Sequence, residues 1–157
     1  MSDEPLPSHY HRCFGCGPDH PTGMHMEMYA GEGLSVHGSF LVTEHHQGAP
    51  GLAHGGVIAA AVDEAMGFLL WLIAHPAVTA HLEVDYRKPV PVGARLELEG
   101  EAFLVEERKI HARMTGRING EVAVDAKALF LKVNVEHFQP HAERFGGEVG
   151  KMRTYNP

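Results

Sequence analysis

Asp63 and Glu64 stand side by side inside the most apolar stretch of the chain, HGGVIAAAVDEAMGFLLWLIA, from His54 to Ala74. A segment this apolar is buried almost all round as a helix. Two carboxylates within it are costly unless each has a partner or a task. The stretch opens on Gly55 and Gly56, which have no side chains, so a ligand can approach the backbone closely. The N–H groups there are the unpaired donors of a helix N-terminus, where partial positive charge collects. Such an end can hold a developing oxyanion.

A second group of reactive residues precedes it. Cys13 and Cys16 form a C-x-x-C within CFGCG, with His9, His11 and His20 nearby. Zinc takes about four ligands; one C-x-x-C plus histidines could supply them, but no second spaced pair is present, so the two cysteines read first as thiols in a glycine-rich turn, with no metal assigned and a zinc-stabilised arm as the separate alternative. Thioredoxin-type redox chemistry is disfavoured because no βαβ pattern surrounds them.

The chain that must position these residues has 157 of them, enough for one domain with a real core. Its 13 Lys and Arg against 20 Asp and Glu give a formal net charge of −7. That argues against non-specific nucleic-acid binding and against a polybasic membrane patch. Val57 to Ala74 approaches the length of a bilayer span, but each of its central charges would cost about 3 kcal/mol there, so a buried helix of a soluble domain fits better. The N-terminus MSDEPLPSHYHRC has no apolar signal region. With two cysteines and no disulfide framework, a cytoplasmic setting is expected.

Residues 1–24 show no periodicity and read as an irregular arm. A short strand is expected over residues 25–30. In the next strand Leu34, Val36, Gly38, Phe40 and Val42 share a face. The turn-rich loop 43–53 leads into the helix, which Pro76 stops. The period then changes to two. Leu82, Val84 and Tyr86 face one way in 79–88, with Thr79, by parity, on the other side with His81 and Glu83. Leu96, Leu98, Ala102 and Leu104 share a face in 95–105, as do Ile110, Ala112, Met114 and Ile118 in 109–118. Asn119-Gly120 is a two-residue hairpin signal, and Val122, Val124, Ala126, Ala128 and Phe130 face inward in 121–131. Short turns between successive strands predict antiparallel pairing. The expected organisation is an N-terminal arm (1–24), an α+β domain (25–135) whose sheet curls round one long helix, and a polar C-terminal extension (136–157). The helix's remaining apolar face calls for a second surface, such as a partner subunit.

These residues resemble a known family. The order of strand, HGG-helix and sheet resembles the hotdog fold. HGGVIAAAVD is similar to the active-site signature of the acyl-CoA thioesterases of the PaaI and THEM4 type, His-Gly-Gly with an Asp nine residues after the His: His54, Gly55, Gly56 and Asp63. TAHLEVDYRKPVPVG is similar to that family's strand with a Thr at its start. CFGCGPDHPTGMHM resembles an arm of some members, which usually carry Asn where His20 stands. The resemblance covers roughly residues 13–133.

The resemblance implies hydrolysis of an acyl thioester to free acid and CoA, without a cofactor. Asp63 would act as nucleophile or general base and the Gly55 N–H as oxyanion donor. Thr79 would hydrogen-bond the water or Asp63. Gly56 and Gln47 would lie near the substrate, and His54 would position substrate or cap the helix through its ring N–H. Arg87 and Lys88 are the local cations for the CoA phosphates, while Met66, Phe68 and Trp71 would line the acyl pocket. Glu64, about 100° round the helix from Asp63, is a salt-bridge residue or the reserve catalyst. Gly55 and Asp63 lie about 12 Å apart along one helix, too far to serve one carbonyl. They are therefore expected to come from two copies in a dimer with shared sites, which could pair again as a tetramer. The alternatives are a hotdog hydratase or dehydratase, which would set a His against a carboxylate, and a non-catalytic acyl-CoA-binding protein.

Overall fold

The computed structural model describes residues 3–145. Strands β1 (Met28–Ala30) and β2 (Ser35–Leu41) precede helices α1 (Gly55–Gly67) and α2 (Leu69–Ile73). Strands β3 (Ala77–Tyr86), β4 (Arg95–Val105), β5 (Lys109–Ile118) and β6 (Glu121–Lys132) follow. They form one antiparallel sheet in the order β1-β2-β4-β5-β6-β3. Helix α1 touches β2, β3, β4, β5 and β6, so the sheet curls around it as expected. The stretch Gly55–Ile73 is long and apolar enough to cross a membrane by length and composition; here it is the core helix of the sheet. It breaks briefly at Phe68, and Ala74 closes it in the left-handed conformation, φ 58°, just before Pro76.

The strand order corrects one expectation. β3 does not neighbour β4. The segment between them crosses the start of α1, where Leu52 bridges Pro91 and the Ala53 N–H donates to Val90 O at 2.8 Å. Pro89 and Pro91 cannot donate to a ladder, so the chain leaves β3 instead of turning back along it. β3 is thereby carried to the sheet's far edge, against β6.

The hairpin reading of Asn119-Gly120 holds, and both residues have positive φ, 50° and 81°, as a type I′ turn requires. Inward faces agree for Val36, Phe40, Leu96, Leu98, Ile110, Ala112, Met114, Val124, Ala126, Ala128 and Phe130, all buried. Leu104 does not agree, being 48% exposed. A bulge between Ala102 and Leu104 shifts the register by one residue and turns it outward. The irregular arm precedes β1, and its Leu6 N–H donates to Met28 O at 2.8 Å. Within the polar extension, Gln139–Arg144 forms a short helix, α3, that the aperiodic sequence did not signal; residues 146–157 lie outside the described part.

One face of α1 is less covered than the rest. Ile58, Ala61, Val62, Ala65 and Met66 are buried against the sheet. Gly56, Ala59, Ala60 and Asp63 share the opposite side at helical spacing and are exposed or half-buried. The buried side holds the helix in place. Ile58→Ala should therefore cost about 2–5 kcal/mol, read as a lower urea midpoint with an unchanged slope.

Candidate active site

The half-covered side of α1 and the inner face of β3 meet at Asp63. Thr79 Oγ1 donates to Asp63 Oδ1 at 2.9 Å. Parity alone put Thr79 on the face of His81 and Glu83. The register shift between Thr79 and His81 reverses this: Thr79 pairs with Phe130 and Leu82 with Ala128, two inward residues. The bulge thus aims Thr79 at the helix. Burial raises the Asp63 pKa, the Thr79 hydrogen bond opposes that, and the neighbouring Glu64 charge adds to the rise.

The other end of α1 is built by His54. Its backbone is extended (φ −64°, ψ 134°) and its Nδ1 accepts from the Gly56 N–H at 2.9 Å, capping the helix. Capping was foreseen, but through a ring N–H; the ring nitrogen accepts instead, because a helix N-terminus presents donors. The Gly56 N–H is therefore engaged. Among the described residues the Gly55 N–H has no partner, leaving it as the open donor at this end. Tyr86, which the sequence reading did not single out, donates from its hydroxyl to Gly55 O at 2.7 Å. Its position on the Leu82–Val84 face was the available signal.

Gln47 lies in the loop beside this end, but its Oε1 accepts from the Gly51 N–H at 2.7 Å, so the side-chain oxygen braces its own loop. Arg87 and Lys88 border a cleft of about 200 Å³ that also includes Gly55 and Tyr86. Both cations are already engaged: Arg87 Nε lies 2.5 Å from Asp125, and Lys88 pairs with Glu121. A phosphate there would compete with carboxylates. Met66 is fully buried in the core and borders neither this cleft nor the larger groove between the arm and β1, β2 and β4. Its side of α1 is the sheet-facing side, which places it in the core of this subunit. Phe68 is likewise core, and both it and Trp71 pack against His9, at centroid distances of 4.9 and 6.1 Å.

Glu64 faces away from Asp63, into the N-terminal arm. Its Oε1 lies 3.1 Å from His9 Nδ1, and both carboxylate oxygens lie 3.9 Å from Cys13 Sγ. Burial alone would raise Glu64, but the hydrogen bonds and charge of His9 outweigh it and lower its pKa. Burial likewise opposes a charged His9, yet hydrogen bonds to Cys13 and Glu64 lift it to about 9. The reserve catalyst is thus a partner of the arm, and the salt-bridge reading of Glu64 is the one the geometry follows.

The antiparallel sheet curled round one central helix is a hotdog fold, and the chain is similar to proteins of the thioesterase type. The sequence model of the Thioesterase superfamily matches residues 50–120. The acyl-coenzyme A thioesterase THEM4 of Xenopus laevis is 32% identical over 89 residues, 55% of this chain and 40% of that protein. THEM4 of Mus musculus is 33% identical over 94 residues, 59% of this chain and 40% of that protein. The chain therefore matches about 40% of the length of these curated relatives. Among solved structures, the thioesterase superfamily protein RHA08564 superposes with a TM-score of 0.73 at 26% identity, covering 83% of this chain and 68% of that one.

The helix cap is directly testable. His54→Ala should lower stability by about 1 kcal/mol, and His54→Asn, which restores an acceptor at the cap, should recover most of it. Thermal denaturation of the three proteins, followed by circular dichroism, measures both effects.

Proposed function

We propose that this chain is an acyl-CoA thioesterase that works as a dimer, with Asp63 as nucleophile or general base and the Gly55 N–H as oxyanion donor. The observation that carries the proposal is the pairing on one helix of a half-buried carboxylate, held by Thr79, with an open backbone N–H at the helix N-terminus. Thioester hydrolysis needs both: a group to activate water or attack the carbonyl carbon, and a donor for the oxygen as charge builds. Likeness to the THEM4 thioesterases supports the substrate class.

The two groups are eight residues apart, about 12 Å along the helix, so one carbonyl draws them from two subunits. Two features support that assembly. The half-covered stripe of Gly56, Ala59, Ala60 and Asp63 lets a second helix approach closely, and β3 is an edge strand whose outer backbone groups are open to another strand. Side by side in opposite directions, two such helices set each Asp63 near the other's Gly55. A hydratase needs a His free to face the carboxylate; the Nδ1 of His54 is taken up by the Gly56 N–H at the helix cap, which disfavours that reading. A cytoplasmic location is part of the proposal.

Thiol release from a panel of acyl-CoAs tests the activity. Asp63→Asn should lower kcat by at least about 10²-fold, with the dimer intact by light scattering. Gly55→Pro removes one N–H at the first helical position, which tolerates proline, next to a residue already extended. It should lower kcat by about 10²–10³-fold. Mixing the two inactive variants under subunit exchange should restore activity, since one site in each mixed dimer regains Asp63 and the Gly55 N–H. No restoration, despite exchange shown by mass spectrometry, refutes the shared site. No hydrolysis of any panel member by the wild type refutes the activity.

A further inference from the structure

We propose that His9, Cys13, Cys16 and Glu64 bind one zinc ion, in a closed structural site that fastens the N-terminal arm to α1. The proposal is independent of the thioesterase reading. One ligand atom from each of the four residues lies within 4.8 Å of the other three. Bonds of about 2.0–2.3 Å to tetrahedral zinc imply ligand–ligand separations of about 3.3–3.8 Å. Nδ1 of His9 lies 3.3 Å from Cys16 Sγ and 3.1 Å from Glu64 Oε1, and Cys13 Sγ lies 3.9 Å from both Glu64 oxygens. The site is thus already near the size zinc requires.

The surroundings suit a metal as well. His9 Nε2 donates to Gly67 O at 3.1 Å, which leaves Nδ1 facing the cluster. That backbone anchor on the remote ring nitrogen is how metal-bound histidines are oriented. The His9 backbone N–H donates to Cys16 Sγ at 3.2 Å, an interaction that stabilises sulfur as thiolate. Two glycines make room. A Cβ on Gly15 would lie 2.3 Å from the Glu64 carboxylate, and one on Gly17 would lie 2.4 Å from Cys13 N. Either would push apart the groups that converge.

The donor set of one nitrogen, two sulfurs and one oxygen is within the range zinc accepts, and four protein ligands leave no open position for catalysis. Three ligands come from the arm and the fourth from α1, so the ion would bridge otherwise separate parts of the fold. The competing account is a cation made by protonation alone, with His9 as an imidazolium ion-paired to Glu64 beside two thiols.

The full chain, purified under reducing conditions without chelator, should carry one zinc per polypeptide by elemental analysis. After zinc is removed with a chelator, Co(II) should give the intense visible bands of a tetrahedral site and sulfur-to-cobalt charge transfer in the near ultraviolet, both abolished by added zinc. His9→Ala and Glu64→Gln should each weaken Co(II) binding by about tenfold or more, and Cys13→Ser with Cys16→Ser should remove the charge-transfer band. The wild-type titration alone decides the matter if the variants fail to fold. Three results would overturn the proposal: no zinc in the purified protein together with only weak octahedral cobalt absorption, zinc retained in full by the double cysteine variant, or a Cys13–Cys16 disulfide persisting under reductant.

Discussion

Adjacent carboxylates on a helix enclosed by a sheet set the central constraint on this molecule. A helix turns by about 100° per residue, so Asp63 and Glu64 cannot share one environment, and each needs its own answer to desolvation. Thr79 on β3 answers the first with a hydroxyl, and His9 from the arm answers the second with a ring nitrogen. The arm packs on the helix at Glu64, Gly67, Phe68 and Trp71 because that is where a buried carboxylate must be met. The edge strand lies beside Asp63 because β3 has been carried past the helix start to reach β6.

This division separates the anchorage of the arm from the candidate site. Glu64 is bound into a half-buried cluster, with 16% of its side chain exposed, and is held there by short contacts. Among the described residues Asp63 keeps one hydrogen bond, on the less covered face of α1, next to small residues. Its carboxylate is partly desolvated, which raises its basicity. The helix start is arranged by the same economy. His54 uses its acceptor on Gly56, and Tyr86 fixes Gly55 through its carbonyl, so that among the described residues the Gly55 N–H has no partner at the positive end of the helix dipole. Clustering this polar machinery on the open side of α1 keeps the sheet-facing side wholly apolar.

β-bulges explain where parity arguments succeed and fail. Alternation identified the inner faces of β2, β4, β5 and most of β6, since strand side chains alternate wherever pairing is regular. It misplaced Leu104 and Thr79, each separated from its predicted face by one extra residue. The consequence for Leu104 is a modest exposed patch. For Thr79 it is the contact with Asp63 itself, so the irregularity is part of how the site is made.

Several features were determined by the sequence alone, because they rest on local chemistry and periodicity. The apolar run and its two glycines specify a buried helix with an open N-terminus. Alternation and Asn119-Gly120 specify antiparallel strands and a tight hairpin, and the resemblance of His54, Gly55, Gly56 and Asp63 to a family signature points to the candidate site. The tertiary structure decided what depends on residues far apart in the chain: that Glu64 meets His9 and the two cysteines across about fifty positions, that Tyr86 reaches Gly55, that β3 lies beside β6, and that Arg87 and Lys88 are held by Asp125 and Glu121. Spacing along one strand or helix cannot convey such pairings, since loop paths and single-residue register shifts choose them, and only the packed chain fixes both.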